Sequence, residues 1–248
     1  NNIAIGAYAG DAMGAYASQK NIFIGYAAGS GTFASASSDN IAIGHTAMNS
    51  PLDDSDGNIA IGSLALQDIT TADMSVVIGY HAGREITTGN ENTVMGSRAL
   101  GTATTATYNV SIGGDSMYAV PAGQAVAGVV AIGLEAVKGS GSTTTGINNT
   151  VAVGRAALKS LTTGGYNTAI GYKSLEDNLT GAYNTAVGYT ALSNTTNNYN
   201  TAVGYASLIS TVGGGGNTAM GHESLYANAT TSNNTGIGYQ AGFYTTGA

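Results

Sequence analysis

The chain has 248 residues and a formal net charge of −7, and only 8% of its residues are charged, against about 25% in a typical soluble domain. Its 7 Lys and Arg are scattered rather than clustered, so binding through nucleic-acid phosphates is not expected. Cysteine is absent, which removes disulfides and thiolate metal sites, and no apolar run approaches the about 18 residues of a membrane-spanning helix. We therefore expect no nucleic-acid partner and no membrane insertion.

A short motif, an aliphatic residue or Met followed by Gly, recurs from one end of the sequence to the other. The intervals between its glycines run from 16 to 21 residues. A period this short predicts a stack of similar rungs, a solenoid, rather than a globular domain. We predict one continuous array of fourteen rungs over residues 1–248. The anchor glycines are Gly6, Gly25, Gly44, Gly62, Gly79, Gly96, Gly113, Gly133, Gly154, Gly171, Gly188, Gly204, Gly221 and Gly238.

The first predicted element of each rung is a short strand that ends at the anchor glycine. The residue before the anchor is aliphatic or Met in every rung, and the residue three before it is Ile in early rungs and Thr in the last five. These two positions share one side of a strand, and the position between them, mostly Ala, points to the other side. We expect the aliphatic side to fill the interior of its own rung and the Ala side to receive a second copy of the chain. For the glycine itself we expect a turn or a close backbone approach, as at Gly171, Gly188, Gly204, Gly221 and Gly238.

After the anchor, a second apolar element follows in each rung. Its third residue is always Ala or Ser, and the next is Leu, Met or Val in ten rungs, as in Leu175, Leu192 and Leu208, and Gly in the other four. We predict a second short strand here, which gives about two strands per rung, followed by a polar loop such as Asn194–Asn198. A three-sided helix is the alternative architecture, although its coils would show an aliphatic residue roughly every six residues.

Two further columns of the repeat are candidate site residues. Asn stands four residues before most anchors, and stacked amides at strand spacing predict a structural Asn ladder rather than a ligand site. Tyr directly follows the anchor in three consecutive rungs, which predicts either a self-stabilising aromatic stack or a surface that binds sugars or protein. The Asn column includes Asn167, Asn184, Asn200, Asn217 and Asn234, and the possible surface-binding strip consists of Tyr172, Tyr189 and Tyr205.

The segments Asn184–Leu192 (N-T-A-V-G-Y-T-A-L) and Asn200–Leu208 (N-T-A-V-G-Y-A-S-L) resemble a known family of repeats. They are similar to the YadA-like head repeats of trimeric autotransporter adhesins, and more so to the longer-looped repeats of phage tail fibres and bacterial surface fibres. The resemblance implies a left-handed parallel β-roll, three chains intertwined or side by side in a homotrimer, and receptor binding on the outer surface. The period of this chain is longer than that of the adhesin heads.

The ends of the sequence fit the same repeat. Joining Ala248 to Asn1 would place the next anchor 16 residues after Gly238, because 10 residues follow Gly238 and Gly6 is the sixth residue. This spacing predicts a segment of a longer fibre, or a unit that associates end to end.

Motifs of catalysis and ligand binding are missing from the sequence. His45, His81 and His222 lie in separate rungs, where we expect exposed turn residues. The acidic stretch 53–57 lacks the downstream Glu of a calcium loop, and the glycine run Gly213–Gly216 lacks the Lys-Ser/Thr of a phosphate-binding loop. We predict no enzyme activity and no cofactor.

These patterns predict an all-β, extracellular structural segment of a tail fibre or surface adhesin. It would act as a rigid trimeric rod for attachment to a glycan or protein receptor on a host cell or other surface. Two alternatives stay open. One is a structural filament without a receptor. The other is an ice- or surface-binding solenoid, which would need the Thr column from Thr168 to Thr235 to be exposed.

Overall fold

The computed structural model describes residues 1–14, 16–139, 144–210, 213–227 and 230–244. Over these ranges the chain forms short β-strands and no helix, and each strand has three residues that end directly before an anchor glycine. The strands are β1 Ile3–Ile5, β2 Ile22–Ile24, β3 Ile41–Ile43, β4 Ile59–Ile61, β5 Val76–Ile78, β6 Thr93–Met95, β7 Val110–Ile112, β8 Val130–Ile132, β9 Val151–Val153, β10 Thr168–Ile170, β11 Thr185–Val187, β12 Thr201–Val203, β13 Thr218–Met220 and β14 Thr235–Ile237.

The strands follow one another in chain order and pair in parallel, which confirms the predicted all-β parallel solenoid. The register places equivalent residues of successive repeats side by side: Thr168 pairs with Thr185, and Ala169 with Ala186. The chain divides into two compact units, Asn1–Ala127 with β1–β7 and Gly128–Ala248 with β8–β14. In the described ranges, no helix is long and apolar enough to cross a membrane.

From β2 to β14 the side that faces the core is the one with the middle residue, mostly Ala, so the predicted orientation of the two faces is wrong. In β11, Ala186 is buried while Thr185 and Val187 are only half-buried. The middle residue is the buried one in every strand from β2 to β14. The reason is space. The interior of a rung is narrow, and the strand must leave room for the apolar residue of the opposite wall.

In the second, fifth and eleventh rungs, a large residue on one wall of this interior faces a small one on the other. Phe23 takes the inward strand position in the second rung, and a Cβ added to Gly29 on the opposite wall would lie 2.6 Å from its ring. In the fifth rung, Val77 and Gly83 have the same relation, with 3.3 Å between the added Cβ and the Val77 side chain. Where the strand residue is Ala, as in β11, the opposite wall carries a fully buried Leu192. Close packing of a narrow core requires this exchange of volume.

The prediction of a second strand in each rung is also wrong, because the four residues after each anchor glycine form a turn. In the rung of β11, Thr190 and Leu192 both have left-handed backbone conformations, with φ of 50° and 52°. Because of these two left-handed residues, the side chains of Ala191 and Leu192 both point inward, and both are fully buried. An extended strand would place one of two successive side chains outside. Each rung in the described residues therefore has one strand, and main-chain hydrogen bonds such as Leu192 N to Ser207 O, 3.0 Å, continue the stack through the turn.

Candidate interaction surface

The buried Asn column connects the rungs through its side-chain oxygens. The Oδ1 of Asn167 accepts the backbone NH of Asn184 at 2.9 Å, and the Oδ1 of Asn184 accepts the backbone NH of Asn200 at 2.9 Å. Further along, Nδ2 of Asn217 donates to Oδ1 of Asn200 at 3.2 Å, and Nδ2 of Asn234 donates to Oδ1 of Asn217 at 3.0 Å. These oxygens serve the main chain and the amides of the neighbouring rung, so the column has a structural role.

The anchor glycines have a backbone conformation and a close approach that other residues do not allow. Gly171, Gly188, Gly204 and Gly221 have φ between 133° and 138°. A Cβ on any of these four would collide with the carbonyl of the next anchor glycine. Gly238 has φ of 124°, but a Cβ there would meet nothing within 4 Å. The column lets the rungs stack at strand spacing.

The outward side chains of β10–β14 form an uncharged strip that we call the outer strip. Three of its apolar members are largely exposed: Ile170 at 41%, Met220 at 43% and Ile237 at 68% of their surface. The Thr column is part of this strip, although the sequence interpretation placed it on an inner face. The outer strip consists of Thr168, Ile170, Thr185, Val187, Thr201, Val203, Thr218, Met220, Thr235 and Ile237.

Along one border of the outer strip runs a stack of five rings, the long aromatic ladder: Tyr172, Tyr189, Tyr205, His222 and Tyr239. Successive ring centroids lie 4.8 to 5.3 Å apart with interplanar angles of 6° to 21°. Each inner ring is covered on both faces by its neighbours, so its edge is the part it presents to solvent. The three Tyr of the predicted surface-binding strip therefore offer ring edges and hydroxyl groups, and His222 extends their stack.

A second stack, the short aromatic ladder of Tyr166, Tyr183 and Tyr199, was missed in the sequence. Its ring centroids lie 5.0 and 5.3 Å apart with interplanar angles of 3° and 10°, and its side chains are 50% to 65% exposed. All three residues have positive φ, between 58° and 63°, a conformation unusual for a bulky residue. The sequence does contain a sign of this ladder, because Tyr-Asn-Thr recurs in three successive rungs, and its Thr is the first residue of β10, β11 and β12.

The two ladders lie on opposite sides of the strand in the sequence of each rung. In the rung of β11, Tyr183 stands two residues before the strand, Thr185 and Val187 are its outward residues, and Tyr189 comes two residues after it. The rungs of β10 and β12 repeat this order of Tyr, Thr, aliphatic residue and Tyr. Twelve positions in three rungs thus present aromatic, hydroxyl and aliphatic groups without a charge.

A cluster of one carboxylate and two ammonium groups lies in the second unit. Glu135 pairs with Lys138 at 2.7 Å and with Lys159 at 2.9 Å. Hydrogen bonds from these two ammonium groups lower the pKa of Glu135 from 4.5 to about 2. In the first unit, burial lowers the pKa of His81, and the charges of Arg84 and Arg98 add to the effect. Among the described residues, no group of three or more His, Cys, Asp or Glu is placed to hold a metal ion.

No protein-family model, curated protein or solved structure matches this chain. The features that bear on function are therefore the solenoid, the outer strip and the two ladders.

Proposed function

We propose that the chain is a structural segment of an extracellular fibre, in which three parallel copies pack through their outer strips into a rigid rod. The observation that supports this most is the exposure of the outer strip. Parallel sheets are normally covered on both faces, and a contiguous exposed apolar surface is typical of an interaction site. In the single chain only the Ala side of β10–β14 is covered. A homo-oligomer covers the other side.

The shape of the strip favours a cyclic assembly. A strand of three residues carries two outward side chains about 7 Å apart, so the strip is narrow and long. Narrow strips from several parallel subunits meet at a common axis, and cyclic symmetry keeps equivalent rungs at equal height. The resemblance of the repeat to trimeric adhesin heads and tail fibres supports three subunits, a left-handed roll and a location on a virion fibre or a bacterial surface.

Attachment would use the surface that the trimer leaves free. The loops that connect the rungs are polar, and Asn194, Thr196 and Asn198 are exposed in one of them. Three copies of each loop around the rod give multivalent contact with a surface glycan or protein receptor, which raises avidity without a deep pocket. A filament without a receptor would have the same core and the same outer strip. The two functions therefore differ only in whether the loops bind a receptor.

The outward Thr column favours a second candidate, a monomeric ice- or surface-binding solenoid. Such a function needs a flat, regular row of Thr open to the surface, and the Thr of β10–β14 do lie outside. Against it, the exposed rings of Tyr183 and Tyr189 border the row, and Ile170 and Met220 differ in size at equivalent positions. Ice recrystallisation assays on the purified chain test this candidate directly.

The mass of the native assembly, measured by light scattering, tests the proposed trimer. The unsubstituted chain should have the mass of three chains. Val187→Lys places a charge in the outer strip and should give single chains that keep the β-type circular dichroism spectrum. The control Asn194→Lys, in an exposed loop, should stay trimeric. A single-chain mass for the unsubstituted protein would contradict the proposal and favour the second candidate.

A further inference from the structure

We infer that the two aromatic ladders pair with each other between neighbouring subunits, the short ladder of one copy against the long ladder of the next. This inference rests on the proposed trimer. It assigns the intersubunit contact to two sets of residues on opposite sides of the strand in each rung.

The first argument is the position of the ladders. In the rung of β11, Tyr183 and Tyr189 are six residues apart with an extended strand between them, a span of about 20 Å at most. In a cyclic assembly with the outer strips toward the axis, one border of each strip meets the opposite border of the next subunit's strip. A contact of this kind is heterologous, so unlike surfaces meet. The unlike surfaces here are the two ladders.

The second argument is spacing. Ring centroids repeat every 5.0 to 5.3 Å in the short ladder and every 5.1 to 5.2 Å among the three Tyr of the long ladder. A partner that contacts several rings in succession must have the same rise. A second copy of this solenoid has it, because both ladders follow the same stack of strands.

The third argument is chemistry. Because the ring faces are used within each ladder, what remains for a partner is the ring edge and the phenolic hydroxyl, which is both a donor and an acceptor. Two rows of Tyr hydroxyls at matching spacing can therefore bond to each other while their ring edges pack together. The rungs of β10–β12 carry no charge at these columns, so a neutral partner fits them. Tyr is among the residues enriched at protein interfaces.

The fourth argument is that the two ladders occur in the same rungs. Elsewhere in the second unit the same column carries Gly128, Asn149, Gly216 and Asn233, residues that tolerate a positive φ well. Tyr replaces them in the rungs of β10, β11 and β12, which are three of the four rungs of the second unit in which Tyr follows the anchor glycine. Positive φ at this column is shared by Lys20, Met74 and Tyr108 of the first unit, so the support comes from Tyr at both columns over three consecutive rungs.

Cysteine cross-linking tests the pairing cleanly because the native chain has no cysteine. The double variant Tyr183→Cys/Tyr189→Cys is treated with a short bis-maleimide and run on a denaturing gel. Two further double variants combine Tyr183→Cys with Tyr172→Cys or Tyr205→Cys. They detect the pairing if neighbouring subunits are displaced by one rung along the rod. We expect covalent dimers and trimers from at least one double, and only single chains from Tyr183→Cys or Tyr189→Cys alone.

Light scattering of each variant before cross-linking separates the two claims. Trimeric doubles that give no inter-chain product would overturn the ladder pairing and leave the proposed trimer standing. A single variant that links to itself would also overturn it, since like ladders would then meet. A single-chain mass for the unsubstituted protein would instead overturn the trimer.

The unsubstituted chain offers a second measurement that needs no variant. A photoactivated ruthenium complex with persulfate takes one electron from each of two tyrosines, each of which loses a proton, and the two radicals join in a carbon–carbon bond. Peptide mass spectrometry then identifies the coupled residues. Pairing between subunits predicts short-to-long products such as Tyr183 with Tyr189. Products confined to one ladder, such as Tyr166 with Tyr183, would count against it.

Discussion

The backbone NH of Asn184 donates a 2.9 Å hydrogen bond to Oδ1 of Asn167, which lies 17 residues earlier and one rung away. Asn184 repeats the arrangement toward the following rung, where its own Oδ1 accepts the NH of Asn200. Its Nδ2 meanwhile donates to the carbonyl of Asn197 at 2.8 Å and so ties down the loop. One buried side chain therefore joins two rungs and a loop, which explains why Asn recurs at this column.

Replacing Asn184 with Ala should destabilise the solenoid. The buried backbone NH of Asn200 would lose its acceptor, and an unsatisfied buried polar group costs about 1–3 kcal/mol. Urea unfolding followed by circular dichroism measures the loss. Asn194→Ala, at an exposed loop position, is the matched control and should change stability by less than about 0.5 kcal/mol. Equal effects of the two substitutions would show that the Asn column has no special role.

Gly154 and Gly238 separate two reasons for glycine at the anchor. Both have positive φ, 138° and 124°, so Ala at either position should add backbone strain of about 1–3 kcal/mol. Only at Gly154 would the new Cβ also collide with the carbonyl of the next anchor, Gly171. We expect Gly154→Ala to lower the unfolding midpoint clearly more than Gly238→Ala. Equal losses would mean that strain alone selects glycine.

The sequence predicted the strands but not which side faces the core. The alternation at Thr185, Ala186 and Val187 establishes that the first and third share a side, and this was confirmed. Hydrophobicity then favoured the aliphatic side as the interior, which was wrong, because the narrow interior admits Ala opposite Leu192. Pattern alone gives no measure of the space between two walls. An exposed aliphatic side also makes sense only with a partner, which a single sequence does not display.

The turn after the anchor was mistaken for a strand for a different reason. Leu192 adopts φ of 52°, which residues other than Gly rarely do. The conformational preference of Leu therefore does not predict this turn. The short aromatic ladder was missed in a similar way. Tyr183 stands in a column that holds Gly or Asn in the other rungs of the second unit, and the three Tyr form a ladder only when the rungs are stacked.

Leu192 should contribute strongly to stability through the narrow core. It is fully buried, and Leu→Ala substitutions at buried sites cost about 2–5 kcal/mol. Leu179, which is 45% exposed, provides a control with the same chemical change. We expect Leu192→Ala to shift the chemical unfolding midpoint several times more than Leu179→Ala. Similar shifts would show that the residues opposite the strand are not core residues.

The ion pairs of Glu135 with Lys138 and Lys159 should make the folding stability depend on pH in the acidic range. Lys138 and Lys159 lower the folded-state pKa of Glu135 from 4.5 to about 2, so the folded chain holds the carboxylate ionised after the unfolded chain has protonated it. The stabilisation is complete above about pH 4.5 and disappears as the pH falls toward 2.

Glu135→Gln tests this pH dependence, and Lys159→Gln is its companion. The pair is partly exposed to solvent, so we expect Glu135→Gln to cost less than about 1 kcal/mol near neutral pH. The difference between the unsubstituted chain and Glu135→Gln in urea titrations should shrink steadily from pH 5 to about pH 2. Lys159→Gln leaves Lys138 in place and should remove only part of the difference. Parallel profiles of unfolding free energy against pH for the unsubstituted chain and Glu135→Gln would contradict these ion pairs. A carboxylate paired with two ammonium groups must resist protonation.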